Sequence, residues 1–217
     1  MLRHLQTGWQ RCGTIGVELA RMHPYETEGR QKVAIFLATV SVFLVWILDI
    51  VLGAIKYEPQ WWLSVPSFAG FYSLVCWTFD HHLWRLRIFN LLGLVKAPDL
   101  NGEWSGWVNS SYTQGTTQTP VSVVIRQRWS KMILRLETEH SRSHSFAATL
   151  KTDDLPYPEF VHLYVNEPKS NAQDSMNTHR GTAILEFKDA GLEGDYYTGR
   201  GRSNFGTMKL RRNSDTA

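Results

Sequence analysis

The sequence predicts two parts with different physics: a membrane α-hairpin of two transmembrane helices, and behind it an all-β domain, an antiparallel up-and-down barrel of eight strands. Three observations carry this. Two long apolar runs, Val33–Leu52 and Trp61–Phe79, occupy the first half. After Pro98, continuous apolarity gives way to alternation with a period of two. The connections between most alternating stretches are too short for a crossover helix, so neighbours in sequence pair antiparallel.

The first apolar run holds about 20 residues, enough to cross a hydrocarbon core as a helix rising roughly 1.5 Å per residue. Asp49 is its single charge, near one end. The second run carries Pro66 and several small or hydroxyl residues but no charge before Asp80. A connection as short as Gly53–Gln60 makes the two a hairpin. The run begins too deep in the chain for an ordinary signal peptide, so it reads as a retained anchor. Arg21, Arg30 and Lys32 precede the spans and Arg85, Arg87 and Lys96 follow them, while the loop has only Lys56. The positive-inside rule then puts both termini, and the β domain with them, on the cytoplasmic side of a multi-pass membrane protein. Ahead of the hairpin, Leu2, Leu5, Trp9, Cys12 and Leu19 recur at helical steps with arginines off the stripe. Residues 1–32 therefore read as an amphipathic N-terminal segment, either a helix on the inner leaflet or a short helix packed on the barrel or on a neighbouring subunit. The expected organisation is 1–32 for this segment, 33–84 for the hairpin, 85–98 for a linker, 99–212 for the β domain and 213–217 for a tail.

Eight stretches read as strands: Glu103–Ser110, Pro120–Arg128, Lys131–Thr138, Ser143–Lys151, Phe160–Asn166, Arg180–Lys188, Leu192–Thr198 and Asn204–Arg211. Val121/Val123/Ile125, Met132/Leu134/Leu136, Val161/Leu163/Val165 and Ala183/Leu185/Phe187 each supply an apolar face. Eight such strands close into a barrel, which removes exposed edges; a two-sheet sandwich is the alternative. Up-and-down order sorts the connections. The turns at Trp129–Ser130, Asp153–Glu159 and Asp189–Gly191 share one rim with both domain ends. The longer loops, Tyr112–Gln118, His140–Arg142, Glu167–His179 and Gly199–Ser203, gather at the other, where a ligand is expected.

Composition narrows the function. A formal charge of +3 over 217 residues is too small to argue for DNA binding. Cys12 and Cys76 lie outside the β domain and form no metal-type spacing. No nucleophile elbow, P-loop or HExxH motif occurs, so nothing points to an enzyme. His140, Arg142 and His144, with His179 and Arg180, approach one rim, but no Cys, Asp or Glu completes a set of metal ligands, and no metal is expected. The stretch Thr198-Gly-Arg200-Gly-Arg202-Ser-Asn204 is more telling. Its glycines let the backbone approach an anion, and two guanidiniums match phosphate oxygens. Tyr196 and Tyr197 sit beside it, and aromatic faces near arginines are what a nucleobase and its phosphate require together. Tyr112, Arg142, His144, Arg180, Tyr197, Thr198, Arg200, Arg202 and Asn204 are accordingly the candidate ligand-binding residues. Arg200 and Arg202 would hold phosphate, assisted by Arg142 and Arg180, with Tyr112 and Tyr197 against bases. A plain hairpin with solvated arginines is the competing reading.

Leu100-Asn-Gly-Glu-Trp104-Ser-Gly106 opens the first strand with a glycine–tryptophan start, shared with lipocalin-like and nitrobindin-like barrels. Trp104 is expected to plug one end, covered by Arg211 or Arg212 through a cation–π contact. This lipocalin-like architecture leaves open a membrane-tethered carrier of a lipid, fatty acid or haem. The order of parts, two spans, then Pro98–Gly106, then a closing Gly194-Asp-Tyr-Tyr-Thr-Gly-Arg-Gly-Arg-Ser-Asn-Phe-Gly206, resembles the two-transmembrane, β-strand-rich effectors of bacterial CBASS anti-phage systems. That resemblance implies a cytosolic eight-stranded barrel that senses a cyclic oligonucleotide, a di- or trinucleotide, and needs no cofactor. It implies a partner CD-NTase-type nucleotidyltransferase that makes the messenger. It also implies ligand-promoted homo-oligomers that act on membrane lipids, disrupt the inner membrane and end in death or growth arrest of the infected cell, an abortive infection.

Overall fold

A computed structural model describes residues 22–27, 29–55, 61–113, 117–152, 155–172, 176–199 and 204–213. The chain forms two compact units: Glu28–Lys96, and a second built from the flanking parts of the chain. The amphipathic stripe expected over Leu2–Leu19 lies outside the described residues.

The first unit is helical. Helix α1 spans Arg30–Ala54 and α2 spans Trp61–His81. They are followed by a single 3-10 turn, Leu83–Arg85, and a short helix α3, Arg87–Leu91, inside what reads as a linker in the sequence. α1 is long and apolar enough to cross a membrane. Its inward stripe is narrow, with Val33, Leu37 and Ser41 buried at successive helical turns, while Val42, Phe43, Trp46, Ile50 and Val51 are exposed. A helix so apolar all round suits lipid rather than water. Its hydroxyls return to their own backbone, Thr39 to the Ile35 carbonyl at 3.0 Å and Ser41 to that of Leu37 at 2.7 Å, which leaves no hydroxyl hydrogen unmatched in hydrocarbon. Phe89 of α3 meets Phe36 and Phe79 edge-on, at centroid distances of 6.0 and 5.3 Å, and so ties the three helices together.

The second unit is a closed barrel of nine strands, not eight. The eight expected from the sequence are present: β2 (Gly102–Ser110), β3 (Gln118–Gln127), β4 (Lys131–Glu137), β5 (Ser141–Lys151), β6 (Glu159–Pro168), β7 (His179–Lys188), β8 (Gly191–Thr198) and β9 (Phe205–Arg212). They run antiparallel in up-and-down order, with β9 returning beside β2. Closure excludes the sandwich. The correction is at the seam. β4 and β5 pair directly only over Arg135–Glu137 and Arg142–His144. Beyond that they part, and β1 (His23–Thr27) enters the gap, antiparallel to β4 and parallel to β5, with Tyr25 opposite Ala148 and Thr27 opposite Leu150. Part of the segment assigned to an amphipathic N-terminus is therefore barrel wall. Its own alternation explains this: Tyr25 and Thr27 are buried while Pro24 and Glu26 are exposed.

The lower barrel is a packed core of Trp104, Ile125, Met132, Leu150, Phe160, Leu185, Leu192 and Leu210. Trp104 plugs this end as expected. Its Nε1–H donates to the Leu100 carbonyl at 3.0 Å, and the guanidinium of Arg212 lies 4.9 Å from its ring while donating to the Asp99 carbonyl. Gly106 and Gly194 sit where a neighbouring strand's backbone approaches too closely for a side chain. A β-carbon at either would sit 1.9 or 2.1 Å from a neighbouring strand's carbonyl oxygen.

On β6 the face is the reverse of the one expected. Phe160, His162, Tyr164 and Asn166 point inward, and Val161, Leu163 and Val165 form the outer wall. Ring volume decides this, because Phe160, His162 and Tyr164 fill the lumen and stack along one strand, Phe160 on His162 at 5.0 Å. His162 is 2% exposed, and its Nδ1 has no hydrogen-bond partner among the described residues. Burial, helped by the nearby His23, pushes its pKa down to about 4; burial also lowers that of His23.

A pH dependence follows. Both imidazoles are held neutral in the fold, so the unfolded chain takes up protons first as the pH falls. The contribution of His162 is complete above the unfolded value of 6.5 and is lost progressively towards pH 4, and that of His23 is lost in the same direction as the pH falls. For His162 the loss between pH 7.5 and 5 amounts to about 2 kcal/mol. Denaturant titrations followed by tryptophan fluorescence should show it, and His162→Gln should flatten most of the slope. A variant with the wild-type slope would contradict the assignment.

Candidate ligand site at the barrel rim

Chain direction brings four connections to the end of the barrel opposite Trp104: β2–β3, β4–β5, β6–β7 and β8–β9. Two of these are lashed together. Lys169, just beyond β6, donates from its backbone to the His140 carbonyl at 2.8 Å and from Nζ to the Thr138 carbonyl at 2.6 Å, with Glu137 3.7 Å away. A 3-10 turn, Ser170–Ala172, follows, and Met176 reaches back so that Asn166 Nδ2 donates to its sulfur at 3.4 Å. This half of the rim is a tied cover over a polar upper lumen of Ser141, Ser143 and Asn166.

The other half is where β2 and β8 end and β9 begins. Tyr197 and Phe205 stand opposite each other across β8 and β9 on the outer face, 48% and 61% exposed. The Phe205 amide donates to Ser111 Oγ at 3.1 Å, which fixes the β8–β9 hairpin against a 3-10 turn, Ser111–Thr113. That turn presents Tyr112, 69% exposed. A groove runs beneath the rings, floored by Asn109, Ser110, Asp195 and Thr207. Gly206 lies at its centre. A β-carbon there would come within 1.9 Å of the Asn109 carbonyl oxygen and 2.7 Å of the Tyr196 ring, so only glycine lets the strands close up. Asp195 is the groove's carboxylate, and it favours N–H donors such as a base edge over phosphate at that point.

The candidate residues from the sequence divide accordingly. Tyr112, Tyr197, Thr198 and Asn204 come together around the hairpin. Arg180 is their diagonal neighbour, its carbonyl accepting from the Gly199 amide at 2.7 Å and its guanidinium 5.8 Å from the Phe146 ring. Arg142 and His144 do not join them. Both belong to the outward face of β5, and Arg142 is paired with Glu137 at 3.1 Å. The reason is strand order: β6 and β7 stand between β5 and β8, so the outward side chains of β5 lie on a different part of the wall from Tyr197 and Phe205. Arg200 and Arg202 lie outside the described residues. Thr198 has a structural task, since its Oγ1 donates to the Asn204 carbonyl and accepts from the Asn204 amide, each at 2.8 Å. Phe205 was not anticipated, although an aromatic three residues past Arg202 was visible in the sequence. Among the described residues no three His, Cys, Asp or Glu gather as metal ligands.

Aromatic faces around a glycine–arginine hairpin, on a barrel whose chain also carries an apolar helical unit, fit one kind of known protein. Residues 95–212 match the family model described as "Cap15, cyclic dinucleotide receptor domain", and residues 31–85 match "Cap15, TM helices". The chain belongs to the Cap15 family. Two proteins named CD-NTase-associated protein 15 are similar to it. One, from Yersinia aleksiciae, is 31% identical over 191 residues, covering 83% of this chain and 87% of the relative. The other, from Escherichia albertii, is 22% identical over 148 residues, covering 64% and 74%. The resemblance to CBASS effectors thus holds, and Cap15 proteins are receptor effectors rather than evident enzymes. The match to the Cap15 receptor domain begins at residue 95, so it leaves out β1.

Thr198→Val removes both side-chain bonds of the hairpin, keeps the backbone bond from the Thr198 amide to the Asn204 carbonyl, and leaves the Asn204 amide without its acceptor. It should cost about 1–2 kcal/mol in a denaturant titration. An unchanged midpoint would mean that the hairpin is held by something else.

Proposed function

We propose that this Cap15 protein is a membrane-anchored receptor for a cyclic dinucleotide, and that the ligand lies in the half of the rim where β2 and β8 end. The observation that supports this most is the trio of exposed rings, Tyr112, Tyr197 and Phe205, around the hairpin that carries Arg200 and Arg202. In this reading the rings stack on bases, the arginines hold the two phosphates, with Arg180 assisting, and Asp195 takes donors from a base edge. No metal or cofactor is involved and no bond is made or broken. α1 and α2 form the two-span hairpin, with both termini and the barrel on the cytoplasmic side. A partner CD-NTase supplies the ligand, ligand-bound copies self-associate, and their clustered hairpins disrupt the inner membrane, halting the infected cell. Ligand can drive such assembly only by binding the assembled form more tightly.

The carrier reading for a lipid, fatty acid or haem finds less support. The lower lumen is filled by Trp104, Phe160 and large aliphatic side chains, and the exposed aromatic surface is on the outer face.

Calorimetric titration of the full chain in nanodiscs with cyclic di-AMP, cyclic di-GMP and cyclic di-UMP tests the site, with fatty acid and haem as controls. One nucleotide should bind tightly. Phe205→Ala should weaken that binding by about 1–3 kcal/mol, the contribution of one base stacked on a ring, and Arg200→Ala/Arg202→Ala should remove it, with unfolding midpoints preserved. Unaltered affinity in the double arginine variant would move the site elsewhere. Heat from fatty acid or haem alone would favour the carrier.

A further inference from the structure

The barrel is completed by a strand from the far side of the helical segment. β1 ends at Thr27 and α1 begins at Arg30, so two residues separate barrel wall from helix. The chain comes back to the barrel at Pro98–Leu100. A single buried side chain holds both crossings. Gln127, at the end of β3, donates from Nε2 to Tyr25 Oη at 3.1 Å and to the Pro98 carbonyl at 3.4 Å, and its Oε1 accepts from the Leu100 amide at 2.8 Å. Its backbone is itself pinned by Asn101, whose Oδ1 accepts from the Gln127 amide and whose Nδ2 donates to the Gln127 carbonyl. At the other end of β1, His23 Nε2 lies 2.8 Å from Ser145 Oγ, which accepts from the Leu134 amide at 2.9 Å just where the β4–β5 ladder gives out. Ser145 also begins the irregularity in the β5–β6 register. β1 is thus the shortest strand of the barrel, with five residues, set in the one place where its neighbours do not pair with each other.

We infer that β1, clasped by Gln127, is the joint through which the state of the barrel reaches the first membrane helix. Where the direct β4–β5 ladder ends, β1 is the strand among the described residues that bridges the seam, so a shift in that part of the wall is carried by β1. From the end of β1 at Thr27 to the start of α1 at Arg30 the chain has only two residues in which to absorb it. The Gln127 clasp makes the outgoing and returning chain move with the same wall. Tyr25 and Gln127 act here as positioning residues, through the helix rather than on the ligand. The inference rests on the receptor reading for what sets the barrel's state, while its structural half is independent of any ligand.

Three forms of the full chain in proteoliposomes test it: wild type, Tyr25→Phe, and a six-residue Gly-Ser insertion between Thr27 and Glu28. A control carries the same insertion between Asp153 and Asp154, in the β5–β6 connection. Cyclic di-AMP, di-GMP and di-UMP are the probes, with binding, dye release and hydrogen exchange as readouts. The β1 insertion should leave nucleotide affinity within threefold of wild type while dye release falls at least tenfold; the control insertion should alter neither. Tyr25→Phe removes one hydroxyl and keeps the ring. It should speed exchange at β1 and at Val33–Phe36, the first bonded turn of α1, together, by tenfold or more, with or without nucleotide. Full dye release from the β1-insertion variant, or faster exchange at β1 with no change at Val33–Phe36, would overturn the joint. A wild type that binds none of the nucleotides would instead count against the receptor reading, and the exchange comparison would still decide the joint.

Discussion

Everything in the receptor half depends on closing one seam. A barrel avoids sheet edges only if every strand finds two neighbours, and β4 and β5 meet over three residue pairs before they separate. Left alone, the remaining amides and carbonyls of both strands would face an unfilled gap beside the lumen, at a penalty per group comparable to a lost hydrogen bond. β1 supplies the partner, bringing Tyr25 and Thr27 into the core and His23 to Ser145. The bond from the Leu134 amide to Ser145 Oγ caps the point where direct pairing ends. Closure of the barrel and attachment of the helical segment are thereby one structural fact. The wall cannot be completed without the strand that leads into α1.

This arrangement separates rigid from responsive parts. The plugged end, with Trp104 between Leu100 and Arg212, and the aromatic ladder of β6 make a core with few ways to rearrange. The tied half of the rim, held by Lys169 and Met176, behaves as an extension of that core. The exposed rings of Tyr112, Tyr197 and Phe205 and the groove beside them lie where β8 and β2 end and β9 begins. Binding surfaces are commonly loops on a rigid frame, and here the frame reaches as far as Gly206, where close strand approach leaves the rings outside.

Much of this was legible in the sequence because barrel strands announce themselves by alternation. β3 and β4 bury the predicted residues, β7 buries Ala183 and Leu185 but leaves Phe187 partly exposed, and up-and-down order placed each connection at its proper rim. Three things were hidden, for different reasons. β1 is five residues, includes Pro24, abuts a long apolar run, and pairs with strands more than a hundred positions away. No hairpin turn advertises it, although His23, Tyr25 and Thr27 alternate with Pro24 and Glu26. β6 has apolar character on both faces, so counting aliphatic residues chose Val161, Leu163 and Val165, whereas ring volume sent Phe160, His162 and Tyr164 inside. At the rim, residue type identified the hairpin and its tyrosine, but only register shows that Arg142 faces out to Glu137 and that Phe205 stands across from Tyr197.

The most direct test of this account is cysteine cross-linking across the seam. Glu26 and Thr149 are exterior partners in the β1–β5 ladder, whereas Val124 lies on β3 and pairs with Arg135 of β4. In a Cys12→Ser/Cys76→Ser background of the full chain in membranes, Glu26→Cys/Thr149→Cys should cross-link within one chain under mild oxidation or with a short bifunctional maleimide. Glu26→Cys/Val124→Cys should not. Equal reactivity of the two pairs, or none in either, would mean that His23–Thr27 is not the strand that closes the barrel, and the link from receptor to membrane helix would fall with it.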